Sequence, residues 1–311
     1  MPEIDVARHS HMIDPQLHVW GWEIPVYLFL GGMAAGAMIL SSLLMMRKGE
    51  RSSAARWLAF AAPVLVSVGM GALFLDLSFK LHVWRFYLAF RWTSPMSWGA
   101  WILILVYPAS LGLALAGLAD AQAGRAIAAA GRVGLAGPAR ALRVLAVGRL
   151  AGLRWANLVL GAALGIYTGV LLSTLGARAL WTSALLGPLF LASGVSTGAA
   201  FLLLFRLSED ERHLVVRWDK LAIALEVAVL LLFLAGLATS DAAGRQAAGL
   251  LLGGPWTAVF WSLVVIVGLV TPFLLETLES RLHLRATAVA PLLVLAGGFA
   301  LRWILVAAGQ A

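Results

Sequence analysis

Carboxylates and phenols recur near the ends of long apolar stretches in this sequence. Glu23 and Tyr27 lie four residues apart, so a helix would place both on one face. Asp76 and Lys80 have the same spacing at the end of a second stretch, and Tyr167 lies in a fourth one. A phenol donates a hydrogen bond and a carboxylate relays protons. This chemistry suits the head group of a quinone, whose reduction takes up two protons with two electrons.

Aromatic and small polar residues accompany these groups. Trp22 precedes Glu23, and the third apolar stretch opens with Ser94-Pro95-Met96-Ser97-Trp98-Gly99. Together they predict an aromatic-walled quinone pocket near one membrane surface. The alternative is that the aromatic residues only anchor helix ends, and that Asp76 and Lys80 form an interfacial ion pair.

The histidine and cysteine content argues against redox metal centres in this protein. It has no cysteine, so an Fe–S cluster of the usual Cys-ligated kind is not expected. Its histidines fall in tails, loops or helix ends, whereas a membrane cytochrome b needs facing pairs inside the helix bundle. We therefore expect no haem and no metal site, with His18 and His82 as surface groups.

The elements that must position these residues are membrane-spanning helices. The composition is 61% hydrophobic and only 12% charged, and about 20 apolar residues suffice to cross a bilayer. The sequence predicts an all-α integral membrane fold whose eight spans cover 24–46, 55–77, 96–119, 156–175, 182–205, 219–238, 256–277 and 287–308.

The charge distribution predicts how these spans are oriented. Most of the 23 Lys and Arg residues fall in alternate loops between the apolar segments. The positive-inside rule then places both termini on the outer, periplasmic side. We expect an outer tail at 1–21, without a cleavable signal peptide, and one membrane domain at 22–311. Because the positive charge follows the loops, we expect no nucleic-acid binding.

Two segments are predicted to lie along the membrane surface. Residues 120–154 form an Ala, Gly and Arg-rich insert, which predicts a short amphipathic helix on the cytoplasmic side. Residues 78–93 alternate aromatic and basic side chains, which predicts an interfacial helix on the outer side that could cap a lipid-accessible pocket.

A weak internal repeat suggests two four-helix halves. The stretch from Gly32 to Gly36 resembles that from Gly194 to Gly198. Both Gly-xxx-Gly pairs are most simply explained by close helix packing.

Ionisable residues within the spans leave a second function open. Glu226 lies well inside the sixth span, and Glu276 and Glu279 lie at the inner end of the seventh. Such groups are costly in a bilayer, at about 2.5–3.5 kcal/mol each. They predict either satisfied structural carboxylates or a proton route from the cytoplasm. Arg302 would either extend outward or pair with an acid from another helix.

Three motifs resemble the NrfD/PsrC family, the membrane subunits of polysulfide-reductase-like complexes. They are Gly21-Trp22-Glu23-Ile24-Pro25-Val26-Tyr27 with the glycine-rich stretch to Gly36, Ser94-Pro95-Met96-Ser97-Trp98-Gly99-Ala100-Trp101, and Tyr167-Thr168-Gly169-Val170-Leu171-Leu172. The resemblance implies a haem-free, multi-pass subunit in a bacterial or archaeal cytoplasmic (inner) membrane. It implies that the protein binds menaquinone or ubiquinone and docks an Fe–S ferredoxin-like subunit, with a molybdopterin-type catalytic subunit beyond.

The resemblance also implies roles for individual residues. Tyr27 and Tyr167 would contact the quinone oxygens, and Glu23, Asp76 and His18 would line the site or move protons. We add Trp22, Lys80, Ser97, Trp98 and Gly32 as candidate quinone-binding residues. The quinone would react in this protein, while catalysis on the substrate would belong to a partner. A purely structural anchor and a small-molecule transporter remain the alternatives.

Overall fold

The structure, a computed structural model, describes residues 20–49, 52–77, 79–88, 90–174, 178–282 and 287–310. Its α-helices are, in sequence order, α1 (Glu23–Lys48), α2 (Ser53–Asp76), α3 (Arg85–Leu88), α4 (Pro95–Ala116), α5 (Asp120–Gly131), α6 (Ala136–Gly148), α7 (Leu150–Ser173), α8 (Leu186–Leu203), α9 (Glu209–Ala238), α10 (Ala242–Leu251), α11 (Thr257–Val259), α12 (Thr271–Leu282) and α13 (Val289–Ala308). A 3₁₀ helix covers Lys80–His82, and a π-helix covers Phe260–Val270 between α11 and α12.

Eight of these helical stretches are long and apolar enough to cross a membrane. They are α1, α2, α4, α7, α8, α9, the composite helix Thr257–Leu282 and α13. Every regular element in the described ranges is helical. The predicted all-α fold with eight spans is therefore confirmed.

The largest difference in span length is at α9. This helix begins at Glu209, well before the predicted residue 219. Ser208 and Glu211 form a capping box, in which the Ser208 hydroxyl accepts from the Glu211 amide and the Glu211 carboxylate accepts from the Ser208 amide. The first turns of α9 are charged, so apolar length alone placed the start too late.

The two surface segments contain more, shorter helices than predicted. The insert 120–154 holds α5 and α6 before α7 begins, rather than one short helix. The prediction of one outer interfacial helix over 78–93 was also wrong. The described residues of this segment contain only the 3₁₀ turn Lys80–His82 and the single turn of α3. Its many aromatic residues are weak helix formers, and isolated short helices are marginal. Helix α10 was not predicted.

Helix α1 lies at the centre of the bundle and packs against α2, α7, α8 and α13. Its closest approach to α8 involves glycines from both helices. A Cβ atom on Gly36 would overlap the Gly194 carbonyl, and one on Gly198 would come within 2.7 Å of Gly36. The close-packing interpretation of the two Gly-xxx-Gly pairs is confirmed.

Both ends of the described part of the protein lie on the same face of the bundle. The Trp20 amide donates to Oε1 of Gln310 (2.9 Å), and Nε2 of Gln310 donates to the Trp20 carbonyl (3.1 Å). We call this the terminal face. The opposite, basic face carries the α1–α2, α4–α7 and α8–α9 connections, where most Lys and Arg residues lie. The periplasmic location of the termini and the division into two four-helix halves stay predictions.

Candidate functional site

An apolar cavity of about 420 Å³ lies near the terminal face, between α1, α2, α4 and α7. Its lining residues are Tyr27, Met70, Gly71, Leu73, Phe74, Leu77, Val83, Tyr87, Met96, Ala100, Leu103, Tyr167 and Leu171. Its volume falls within the range of about 300–1,000 Å³ that is typical of small-molecule sites. We call this space the tyrosine cavity, because three phenols are its main polar groups.

Tyr27 and Tyr167 meet at this cavity although they come from different spans. They are 3% and 7% exposed, respectively, and they are near enough to interact electrostatically. Neither hydroxyl hydrogen-bonds to another residue in the described part of the protein. Buried polar groups are normally hydrogen-bonded, so these two phenols are suited to binding a polar ligand group.

Gly99 makes room for the Tyr167 ring. A Cβ atom at this position would overlap Cζ and the hydroxyl oxygen of Tyr167. Sequence reasoning quoted Gly99 as part of the Ser94–Gly99 motif but gave it no role. The only feature of the sequence that could have indicated this role is the position of the glycine directly after Trp98, within the first turns of α4.

The segment between α2 and α4 forms one wall of the tyrosine cavity. Val83 and Tyr87 line it from this side, in agreement with the prediction that the segment caps a pocket. Burial raises the pKa of the Tyr87 phenol above its ordinary value of 10.0, and the nearby Tyr107 adds to the effect. Tyr87 is therefore a protonated hydrogen-bond donor at neutral pH. It was not among the predicted site residues.

The predicted acids lie beside the tyrosine cavity rather than in its lining. Glu23 begins α1 and Asp76 ends α2, and the two are close enough to repel each other electrostatically. Leu77, the next residue, lines the cavity. Lys80 is exposed and lies in the 3₁₀ helix, so it does not continue α2 as its spacing suggested. Asp76 and Lys80 do not form a salt bridge within the described residues.

The predicted residues of the third span and of the N-terminal segment also fall outside the lining. The Ser97 hydroxyl accepts a hydrogen bond from the Arg91 amide (3.0 Å), which fixes the segment that precedes α4. Trp98 and Trp22 are 45% and 50% exposed at the surface. His18 lies outside the described residues.

Gly32 belongs to a different polar site. A Cβ atom there would lie 2.5 Å from Nη2 of Arg302, so this glycine provides space for the guanidinium. Arg302 is fully buried and donates to the Leu28 carbonyl (3.1 Å) and the Ser193 hydroxyl (3.0 Å). Glu226 lies close enough to interact with the Ser193 hydroxyl and, electrostatically, with Arg302. Arg302 therefore stays buried near an acid from another helix instead of extending outward, and the two groups form no direct salt bridge among the described residues.

Two further acids are buried between α9 and α12. Oδ1 of Asp219 accepts a hydrogen bond from the Ser196 hydroxyl (2.8 Å). Its other oxygen and both oxygens of Glu276 are buried without a partner among the described residues. The two carboxyl groups interact electrostatically. Glu279 is different, because it is bound at the surface by the amide and hydroxyl of Thr287.

Comparison with known proteins identifies the family. The family model described as "Polysulphide reductase, NrfD" matches residues 10–311. The chain belongs to the NrfD family. It is 29% identical to the C subunit of polysulfide reductase from Wolinella succinogenes, and the match covers 94% of both proteins. It is 33% identical to the protein NrfD of Escherichia coli, and that match covers 94% of this protein and 95% of the relative.

Membership of the NrfD family confirms the resemblance seen in the motifs. A homologue of NrfD in Haemophilus influenzae is 27% identical over 94% of both proteins. The family match and the eight apolar helices identify a multi-pass membrane protein. The relative in Wolinella succinogenes is named as one chain of a polysulfide reductase.

Proposed function

We propose that this NrfD family member is a haem-free, quinone-binding membrane subunit, with the quinone head group in the tyrosine cavity. The observation that supports this most is the meeting of Tyr27 and Tyr167, two buried phenols without partners in the described structure, in one apolar cavity. A quinone ring is flat and apolar with a carbonyl on opposite sides. The residues present therefore fit the group, since apolar walls and two hydrogen-bond donors are what it requires.

The quinone, menaquinone or ubiquinone, supplies the two-electron chemistry when it is bound. Tyr27 and Tyr167 would donate hydrogen bonds to its oxygens and hold the ring in place. Glu23 and Asp76, at the edge of the cavity, would exchange protons with the aqueous phase at the terminal face. The apolar walls exclude water from the remaining surface of the ring.

Electron exchange requires a partner at the terminal face. The segment that caps the cavity exposes apolar side chains there, including Trp84, Leu88 and Trp92. Exposed aromatic residues of this kind often mark interaction surfaces. We propose that an Fe–S ferredoxin-like subunit docks on this surface, with a molybdopterin-type subunit beyond it. The terminal face would be the periplasmic side of the inner membrane.

The binding role can be tested by removing single hydroxyl groups. Tyr27→Phe and Tyr167→Phe each delete one donor and keep the ring, so a short-tailed quinone should bind about 3- to 10-fold more weakly. Quenching of tryptophan fluorescence in nanodiscs measures the Kd. Tyr107→Phe is the matched control, because the Tyr107 hydroxyl is bonded to Ser67 (2.9 Å) outside the cavity lining. Equal affinity in all variants would contradict the proposal.

A second candidate function, proton translocation, is favoured by the row of buried acids. Asp219 lies near both Glu276 and Glu226, and Ser196 donates a hydrogen bond to it. Glu226 in turn lies near Ser193 and Arg302, so the row of acids ends at Arg302. Arg302 in turn bonds to the carbonyl of Leu28, the neighbour of Tyr27. Such groups can carry protons between the basic face and the quinone site.

The two functions differ in what Glu226 does. Glu226→Gln keeps the shape and hydrogen bonding but cannot exchange a proton. If protons follow this row, the variant complex in vesicles should build a smaller membrane potential per quinone turned over. An unchanged potential at unchanged turnover would leave quinone binding as the function and exclude the proton route.

A further inference from the structure

A second apolar groove, of about 530 Å³, lies at the basic face between α2 and α8. Both helices pack on α1, but they make little contact with each other. The groove is the space between the first turns of α2 and the last turns of α8. It shares no lining residue with the tyrosine cavity. Its volume falls within the range of about 300–1,000 Å³ for ligand sites.

The walls of this groove are largely aromatic and aliphatic. Trp57 and Phe60 line it from α2, while Phe201 and Phe205 line it from α8 and the residues that follow. The rings of Phe201 and Phe205 pack edge to face with centroids 5.2 Å apart. Trp57 is 72% exposed and Phe205 56% exposed. Such surfaces in a membrane-spanning bundle lie against the hydrocarbon of the lipids.

The polar groups of the groove are grouped at its end on the basic face. Arg206 follows the end of α8, and Ser53 is the first residue of α2. Arg206 makes no salt bridge or hydrogen bond with any residue that the structure describes. The N-terminus of α2 also favours negative charge. The carboxylate of Glu211, on the neighbouring helix α9, is already bonded to Ser52 (2.6 Å) and Ser208 (2.9 Å).

We propose that this groove binds one anionic phospholipid. An acyl tail lies between Trp57 and Phe205, and the phosphate lies at Arg206 with Ser53 as a second hydrogen-bond donor. A net negative head group is favoured over a zwitterionic one, because the Arg206 guanidinium, which has no partner among the described residues, attracts negative charge. A quinone fits less well, because it carries no net charge for the Arg206 guanidinium to attract.

Native mass spectrometry of the full-length protein can test this preference. The protein, extracted in mild detergent, is titrated with phosphatidylglycerol and, separately, with phosphatidylcholine. Each basic residue near a lipid head group contributes an attraction that corresponds to about fivefold in binding. The wild-type protein should therefore retain phosphatidylglycerol at about fivefold lower lipid concentration. Arg206→Gln should abolish this difference while leaving phosphatidylcholine binding unchanged.

A second variant tests whether the lipid occupies the groove, rather than being attracted by the charge of Arg206 from a distance. Ala61 lines the groove and is half-buried, so Ala61→Phe should fill it and reduce the retention of both lipids. Arg132→Gln and Ala224→Phe are matched controls, because both residues are exposed and lie outside the groove lining. These controls should behave as the wild type does.

Any one of three results would overturn the proposed lipid site. The wild type could retain the two lipids equally, or the Arg206→Gln variant could keep the preference for phosphatidylglycerol. The third is displacement of phosphatidylglycerol by an equimolar short-tailed quinone. The proposal is independent of the quinone function, since Tyr167→Phe should leave lipid retention unchanged.

Discussion

At the scale of single residues, the fit between Gly99 and Tyr167 gives a direct test of the tyrosine cavity. Gly99→Ala would place a methyl group where the end of the Tyr167 side chain lies. The ring can move toward the cavity, so we expect the fold to be retained and the phenol oxygen to be displaced. Quinone affinity should fall about tenfold or more, which corresponds to about 1.4 kcal/mol. A quinone titration in nanodiscs measures it.

Gly112→Ala is the control for this substitution. Gly112 lies on the same helix, and a Cβ there would approach the side chain of Leu153 at 3.0 Å instead of a tyrosine. Both variants add one methyl group to α4, but only one lies against the cavity. If the two variants bind quinone equally, the position of Tyr167 is not what controls affinity.

Arg302 makes a second residue-scale prediction, which concerns stability. Its guanidinium is fully buried and is bonded to α1, α8 and its own helix. Arg302→Gln would break these contacts and leave Glu226 without its opposite charge. Each buried acceptor that loses its donor costs about 1–3 kcal/mol. Thermal unfolding in detergent should show a marked loss, whereas the exposed Arg132→Gln should unfold as the wild type does.

At the scale of helices, α2 offers a way to close the cavity without disturbing the bundle. Gly71 lines the cavity, and a Cβ there would contact nothing within 4 Å. Gly71→Leu should therefore fill part of the cavity and abolish quinone binding while the protein still folds. Gly236→Leu on α9 is the control, because that position is also open but lies outside the cavity lining. Retained binding in Gly71→Leu would place the quinone elsewhere.

The helices show how much the sequence could predict. Apolar length located all eight spans, because the bilayer sets that length directly. Helical spacing placed Tyr27 on a face that reaches the cavity, and the span order put Tyr167 at the same depth. Local signals could not reveal that Lys80 begins a separate 3₁₀ turn, since the mixture of aromatic and basic residues over 78–93 is equally compatible with one interfacial helix.

Contacts between distant residues were beyond the reach of sequence patterns. Gly32 belongs to a Gly-xxx-Gly pair, yet its missing side chain also makes room for Arg302 from the last span. Only the packing of α13 against α1 brings these residues together. The same holds for Tyr87, whose place in the cavity wall depends on how the segment before α4 folds back over α2.

At the scale of the whole molecule, the hydrogen bonds between Trp20 and Gln310 require both ends of the described part of the protein to lie on one face. The cationic residues of the opposite face predict that this terminal face is periplasmic. Alkaline phosphatase is active only after export from the cytoplasm. A fusion of this enzyme to the C-terminus of the protein should therefore be active. The same reporter inserted at Gly134, a surface turn between α5 and α6, should be inactive, and green fluorescent protein should give the opposite pattern. Active phosphatase at Gly134 would place the tyrosine cavity near the cytoplasm, and the proposed docking of a periplasmic Fe–S partner would then fail even if quinone binding held.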